Sequence, residues 1–120
     1  MKILVLCSHG ENRSRYLADY LRSKGYLYVD YSGVKVSDNK TQKKIADADL
    51  LIVVHKKVME SLSQDFDISD KKIIALDVED RPEEVLPGKT RLDGEAWIAF
   101  QEKYVYPKLK EQIDRFIPFE

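Results

Sequence analysis

The chain holds one cysteine, Cys7, and it stands where a short apolar run, Ile3-Leu4-Val5-Leu6, gives way to small and polar residues. Five residues separate it from Arg13, and Ser14 follows directly, giving Cys7-Ser8-His9-Gly10-Glu11-Asn12-Arg13-Ser14. A segment that leaves a strand and enters a helix can offer the backbone N–H groups of Ser8 to Arg13 as a concave nest for an anion. The positive end of the helix dipole lies behind that nest. Gly10 admits backbone angles closed to other residues, and Arg13 adds a planar fork of donors that matches two phosphate oxygens. A cysteine at the base of such a nest is surrounded by donors that favour its thiolate, the nucleophilic form. Taken alone, a cysteine ending a buried strand is most often a small core residue. The succession of strand, cysteine, glycine-containing loop, Arg-Ser and helix points instead to a phosphate-binding loop with a nucleophile at its base.

The elements that must hold this loop alternate along the chain. Buried strands are expected at Ile3 to Leu6, Tyr26 to Tyr31, Leu50 to Val54 and Lys72 to Leu76, the second of them ended by Ser32-Gly33. Between them, helical spacing predicts helices over Ser14 to Lys24, Asn39 to Asp47 and Lys56 to Ser63. A long polar loop is expected from Asp77 to about Asp93, broken by Pro82, Pro87 and Gly88. One final helix, roughly Gly94 to Phe116, then carries Trp97, Ile98, Phe100, Val105, Leu109, Ile113 and Phe116. Strands without polar alternation, separated by helices, imply an α/β three-layer fold with a mainly parallel sheet and helices on both faces. Ligands of such sheets bind beyond the carboxyl ends of the strands, so Cys7 and the segment Asp77 to Asp80 are expected on one rim.

Composition bounds the possibilities. At 120 residues the chain is read as a single domain, 1–120, and its 43% hydrophobic and 34% charged residues suit a folded, soluble protein. Twenty Lys and Arg against 21 Asp and Glu leave a net charge of −1, so any anion site must be local, and neither nucleic acid nor a membrane surface is an expected partner. No apolar stretch approaches the ~20 residues of a membrane span. Met1 to Leu6 is too short for a secretory signal. A single cysteine forms no internal disulfide, which suits the cytoplasm, and no multi-cysteine metal site. The chemistry expected of Cys7 itself calls on no metal and no cofactor.

Cys7-x5-Arg13-Ser14 after an N-terminal strand resembles the low-molecular-weight protein tyrosine phosphatase superfamily. "YSGV" at 31–34 is similar to that family's Ser-Ala-Gly segment, and "ADLLIVVH" at 48–55 to its third strand. The resemblance covers most of the chain and implies a flavodoxin-like sheet of four strands in the order 2-1-3-4. It also implies roles. Cys7 attacks phosphorus, the amides of Ser8, His9, Gly10, Glu11, Asn12 and Arg13 and the Arg13 guanidinium bind the phosphoryl oxygens, and the Ser14 hydroxyl supports the thiolate. Phosphate and other oxyanions should then inhibit from the same loop. Common members carry Gly-Asn at the second and third loop positions and a second cysteine before the arginine. Here His9, Gly10 and Asn12 stand there, and no second thiol can protect Cys7 as a disulfide. Asn12-Arg13-Ser14 is instead similar to the branch that acts on the C-terminal domain of RNA polymerase II.

Ester cleavage also needs a proton for the leaving oxygen. "LDVEDRPEEV" after the fourth strand supplies Asp77, Glu79, Asp80, Glu83 and Glu84, and only its first residues are expected on the rim with Cys7. The common members' Asp-Pro-Tyr loop is absent. Asp77, Asp80, Glu83 and Glu84 reproduce the Asp-x-x-Asp-x-x-Glu-Glu spacing of the polymerase-tail branch, whose second aspartate is the acid. That likeness implies Asp80, with Asp77 next. His9 and His55 are read as rim residues without assigned chemistry. The expected function is a cysteine-dependent protein phosphatase acting on a phosphoprotein or phosphopeptide at tyrosine or serine/threonine. The alternative is a phosphotransfer carrier modified on Cys7, similar to sugar-uptake components; such carriers typically lack an arginine at the position of Arg13.

Overall fold

The structure, a computed structural model, describes residues 1–35, 40–86, 88 and 91–119. The chain forms two compact units, Met1–Asp77 and Val78–Glu120.

In the first unit the unbroken apolar run at the N-terminus becomes strand β1, Ile3–Cys7, buried at every position. It lies between β2, Val29–Gly33, and β3, Leu50–Val53, and β3 pairs in turn with β4, Lys72–Ala75. All three pairings are parallel, and the sheet order is β2-β1-β3-β4. Fully buried strands without alternation are what the centre of a parallel sheet requires. The polar exceptions Asp30 and Lys72 fall on the two edge strands, where they are exposed. Right-handed crossovers place helix α1, Arg13–Ser23, on one face of the sheet and α2, Lys40–Asp47, and α3, Lys56–Asp65, on the other. Leu17, Ala18 and Leu21 from α1, Ile45 from α2, and Val58 and Leu62 from α3 fill the core at 0–2% exposure. Each of the larger ones contributes about 1.5–3 kcal/mol of transfer free energy.

The second strand departs from its expected bounds. Leu27 and Tyr28, expected within it, are 80% and 67% exposed, and β2 starts only at Val29. Pairing decides this: Val29 is the first residue with a partner, Ile3, and Ser32-Gly33, expected to end the strand, pair with Leu6 and Cys7. The expected helix start at Asn39 and the expected loop breaker Pro87 lie outside the described residues.

In the second unit the polar loop contains a one-turn helix α4, Pro82–Val85, opened by a proline whose fixed φ suits a first helical position. The single final helix is instead divided into α5, Gly94–Phe100, a π-helical turn, Gln101–Val105, and α6, Tyr106–Asp114. The Tyr106 N–H donates to the Gln101 carbonyl, five residues back. Pro107 explains the wider turn, since it has no N–H and its ring would collide with the carbonyl four residues earlier. Phe100, Gln101, Val105, Leu109 and Ile113 are buried, whereas Ile98 and Phe116 are 52% and 44% exposed. No helix among the described residues is long and apolar enough to cross a membrane.

Candidate active site

Cys7 is the last residue of β1 and pairs with Gly33 at the end of β2. Beyond it the chain turns through Ser8–Asn12 and enters α1 at Arg13. The Cys7 and Ser8 carbonyls are tied to the β2 side, accepting from the Val34 and Lys35 N–H groups at 2.9 Å each. The Cys7 thiol is 3% exposed, Arg13 6% and Ser14 0%. The Gly10 N–H donates to Cys7 Sγ at 3.1 Å, and Ser14 Oγ lies 3.0 Å from the same sulfur. A thiolate has no proton to give, so in that state both contacts are donated to sulfur. Gly10 has φ +76°, and a Cβ there would come within 2.7 Å of the Gly33 backbone nitrogen. Only glycine combines that angle with that approach. Across the contact, Gly33 is equally constrained, because a Cβ on it would sit 2.4 Å from the His9 carbonyl carbon.

The structure therefore brings Cys7, Gly10 and Ser14 into direct contact, with the buried Arg13 at the head of α1. Ser8 and Asn12 are half-buried and His9 and Glu11 exposed on the loop between them. Asn12 precedes α1 without a side-chain capping bond, and its carbonyl accepts the Tyr16 N–H at 3.0 Å. An eleven-residue helix opening directly behind the loop places the positive end of its dipole there.

Of the expected acids, Asp77 closes the first unit. Its carboxylate lies 3.6 Å from His55 Nε2, while His55 Nδ1 caps α3 by accepting the Lys57 N–H at 3.1 Å. That acceptor role puts the neutral histidine's proton on Nε2, facing the carboxylate. Asp80 belongs to the second unit. It is half-buried, and its carbonyl accepts from Gln101 Nε2 at 2.9 Å, so the buried glutamine of the π turn holds its backbone. Glu79 is committed to Arg81 by bonds to Nε at 2.9 Å and the Arg81 N–H at 3.1 Å. The Glu79 hydrogen bond, then its charge, raise the Arg81 guanidinium above its ordinary value. Among the described residues, no group of three or more His, Cys, Asp or Glu could hold a metal ion.

Sequence reasoning passed over two residues: Thr41 is fully buried in α2 beneath Gly33, and Gln101 is fully buried beside Asp80. A buried threonine or glutamine interrupts an apolar stripe in the same way as an exposed one, so hydrophobic periodicity carries no signal for either. His55, read as a rim residue without assigned chemistry, is the cap of α3.

No protein-family profile and no curated protein matches the chain. Among solved structures, YwlE arginine phosphatase, bearing a cysteine-to-serine substitution and a phosphorylated active-site serine, superposes with a TM-score of 0.63. It is 16% identical over 100% of this chain and 98% of its own. A YwlE mutant from Bacillus subtilis gives 0.56, with 17% identity over 96% of this chain and 90% of that one. The chain shares the fold of these structures, an α/β architecture whose four parallel strands run in the expected order 2-1-3-4.

Proposed function

We propose that this protein is a cysteine-dependent phosphatase that hydrolyses phosphoproteins or phosphopeptides through a cysteinyl-phosphate. The observation that carries the reading is the buried Cys7 sulfur, contacted by the Gly10 N–H at 3.1 Å and by the Ser14 hydroxyl at 3.0 Å. A core cysteine needs neither contact, whereas a nucleophilic thiolate is stabilised by both. In the mechanism, the Cys7 thiolate attacks phosphorus in line with the leaving oxygen. Asp80, protonated at that moment, gives its proton to that oxygen as the P–O bond breaks. Water, deprotonated by the same carboxylate, then attacks the S–P bond, returning the thiolate and releasing phosphate. The Ser8–Arg13 amides and the Arg13 guanidinium balance the charge of the transferring group, the preorganised electrostatics on which such reactions depend. That balance requires no metal ion.

Substrate choice follows from two likenesses. Asn12-Arg13-Ser14 and the Asp77/Asp80 spacing favour phosphoserine in a peptide, in the manner of the polymerase-tail branch. One of the two YwlE structures is named an arginine phosphatase, which adds phosphoarginine peptides to the panel beside phosphotyrosine and phosphoserine. Hydrolysis of p-nitrophenyl phosphate with a chelator present, by the intact protein and by Cys7→Ser, tests the reading. Cysteine-dependent release supports it, and its absence favours the phosphotransfer carrier.

A further inference from the structure

Thr41 is fully buried in the first turn of α2, where an apolar residue would fill the space without needing hydrogen-bond partners. Its hydroxyl is saturated. Oγ1 donates to the Gly33 carbonyl at 2.8 Å and lies 2.6 Å from Ser32 Oγ. With its one proton given to Gly33, it must accept that of Ser32. Both partners are the last two residues of β2, and Gly33 is the surface on which the loop rests. A Cβ on Gly33 would sit 2.7 Å from the Gly10 nitrogen, the same N–H that donates to Cys7 Sγ. Gly33 also pairs in register with Cys7 itself. A continuous path of contacts thus runs from the Thr41 hydroxyl through the Gly33 peptide to the Gly10 amide and the sulfur.

We propose that Thr41 is a positioning residue for the nucleophile, fixing the Gly33 peptide and through it the direction of the Gly10 N–H toward Cys7. This rests on the phosphatase reading only for its effect on turnover, because the aim of one amide at one sulfur is readable without any substrate. A residue holding the core together through its methyl group would be replaceable by valine. One holding Gly33 through its hydroxyl is replaceable by serine.

The test compares Thr41→Val and Thr41→Ser with the parent in two measurements, alkylation of Cys7 by iodoacetamide from pH 5 to 9 and hydrolysis of p-nitrophenyl phosphate. Valine should slow alkylation at neutral pH about tenfold and lower kcat about 10- to 100-fold with little change in KM, the scale set by a reacting group displaced by a fraction of an ångström. Serine should restore both. Thr41→Ala carries the same comparison with serine where the valine variant does not fold. A folded valine or alanine variant with the parent's alkylation profile overturns the proposal, and so does a serine variant as impaired as valine. If the parent hydrolyses no phosphate ester, the phosphatase reading fails while the alkylation profiles still decide the role of Thr41.

Discussion

Gly33→Ala is the sharpest perturbation of the loop, because it adds one methyl group at a contact with no room for it. The new Cβ would stand 2.4 Å from the His9 carbonyl carbon, 2.7 Å from the Gly10 nitrogen and 2.8 Å from the His9 Cα, where ordinary contact begins at 3.4 Å. All three neighbours are backbone atoms, so no side chain can swing aside. Gly33 itself is held by pairing with Cys7 and by Thr41, which leaves the His9–Gly10 peptide to retreat by about 1 Å. That retreat removes the Gly10 N–H from hydrogen-bonding distance of the sulfur. Misplacement of this size costs on the order of 10²-fold in rate, while overpacking of one methyl costs about 1–3 kcal/mol of stability. The assay is steady-state hydrolysis of an aryl phosphate, paired with urea unfolding to show that the variant is folded at the assay temperature. A folded Gly33→Ala protein with unchanged kcat/KM would refute the claim that this contact sets the loop geometry.

Other outcomes follow from the same structure. Cys7→Ser should abolish turnover yet still bind inorganic phosphate, measured by titration calorimetry, because the loop amides and Arg13 are untouched. Asp80→Ala should lower kcat about 10²–10⁴-fold for alkyl phosphates and much less for nitrophenyl phosphate, whose leaving group needs no proton; equal losses on both would remove Asp80 as the acid. In the loop before β4, the Ser69 hydroxyl and then its N–H, both bonded to the carboxylate, hold Asp67 below its ordinary value of 3.8. A depressed carboxylate stabilises the fold above its unfolded value and loses that contribution as pH falls through the folded one. Ser69→Ala should therefore lower the urea midpoint at neutral pH, with the difference from the parent vanishing in strong acid.

The sheet was legible because its strands are unbroken apolar runs, and no alternation means cover on both faces. Its second strand was displaced by three residues at the start, because Leu27 and Tyr28 are good strand formers that happen to precede the point where β1 begins to offer partners. Residue propensity does not encode register. The π turn was hidden for a related reason: Pro107 marks a disturbance, but a widened turn and a broken helix have the same sequence signature. At the site, the spacing of Cys7, Gly10, Arg13 and Ser14 was readable because loop chemistry is local. Gly33 and Thr41 were not, since their contribution is a contact made across 23 residues from Gly10 to Gly33 and then beneath the strand.

In the proposed mechanism, phosphorus passes through Cys7. Denaturing quench during turnover of a phosphopeptide or aryl phosphate, followed by mass spectrometry of the tryptic peptide Ile3–Arg13, reads this directly. A phosphoryl group on Cys7 that appears with substrate and disappears as substrate is exhausted is the predicted result. Turnover with no adduct on that peptide, persisting in Cys7→Ser, would exclude Cys7 as the nucleophile.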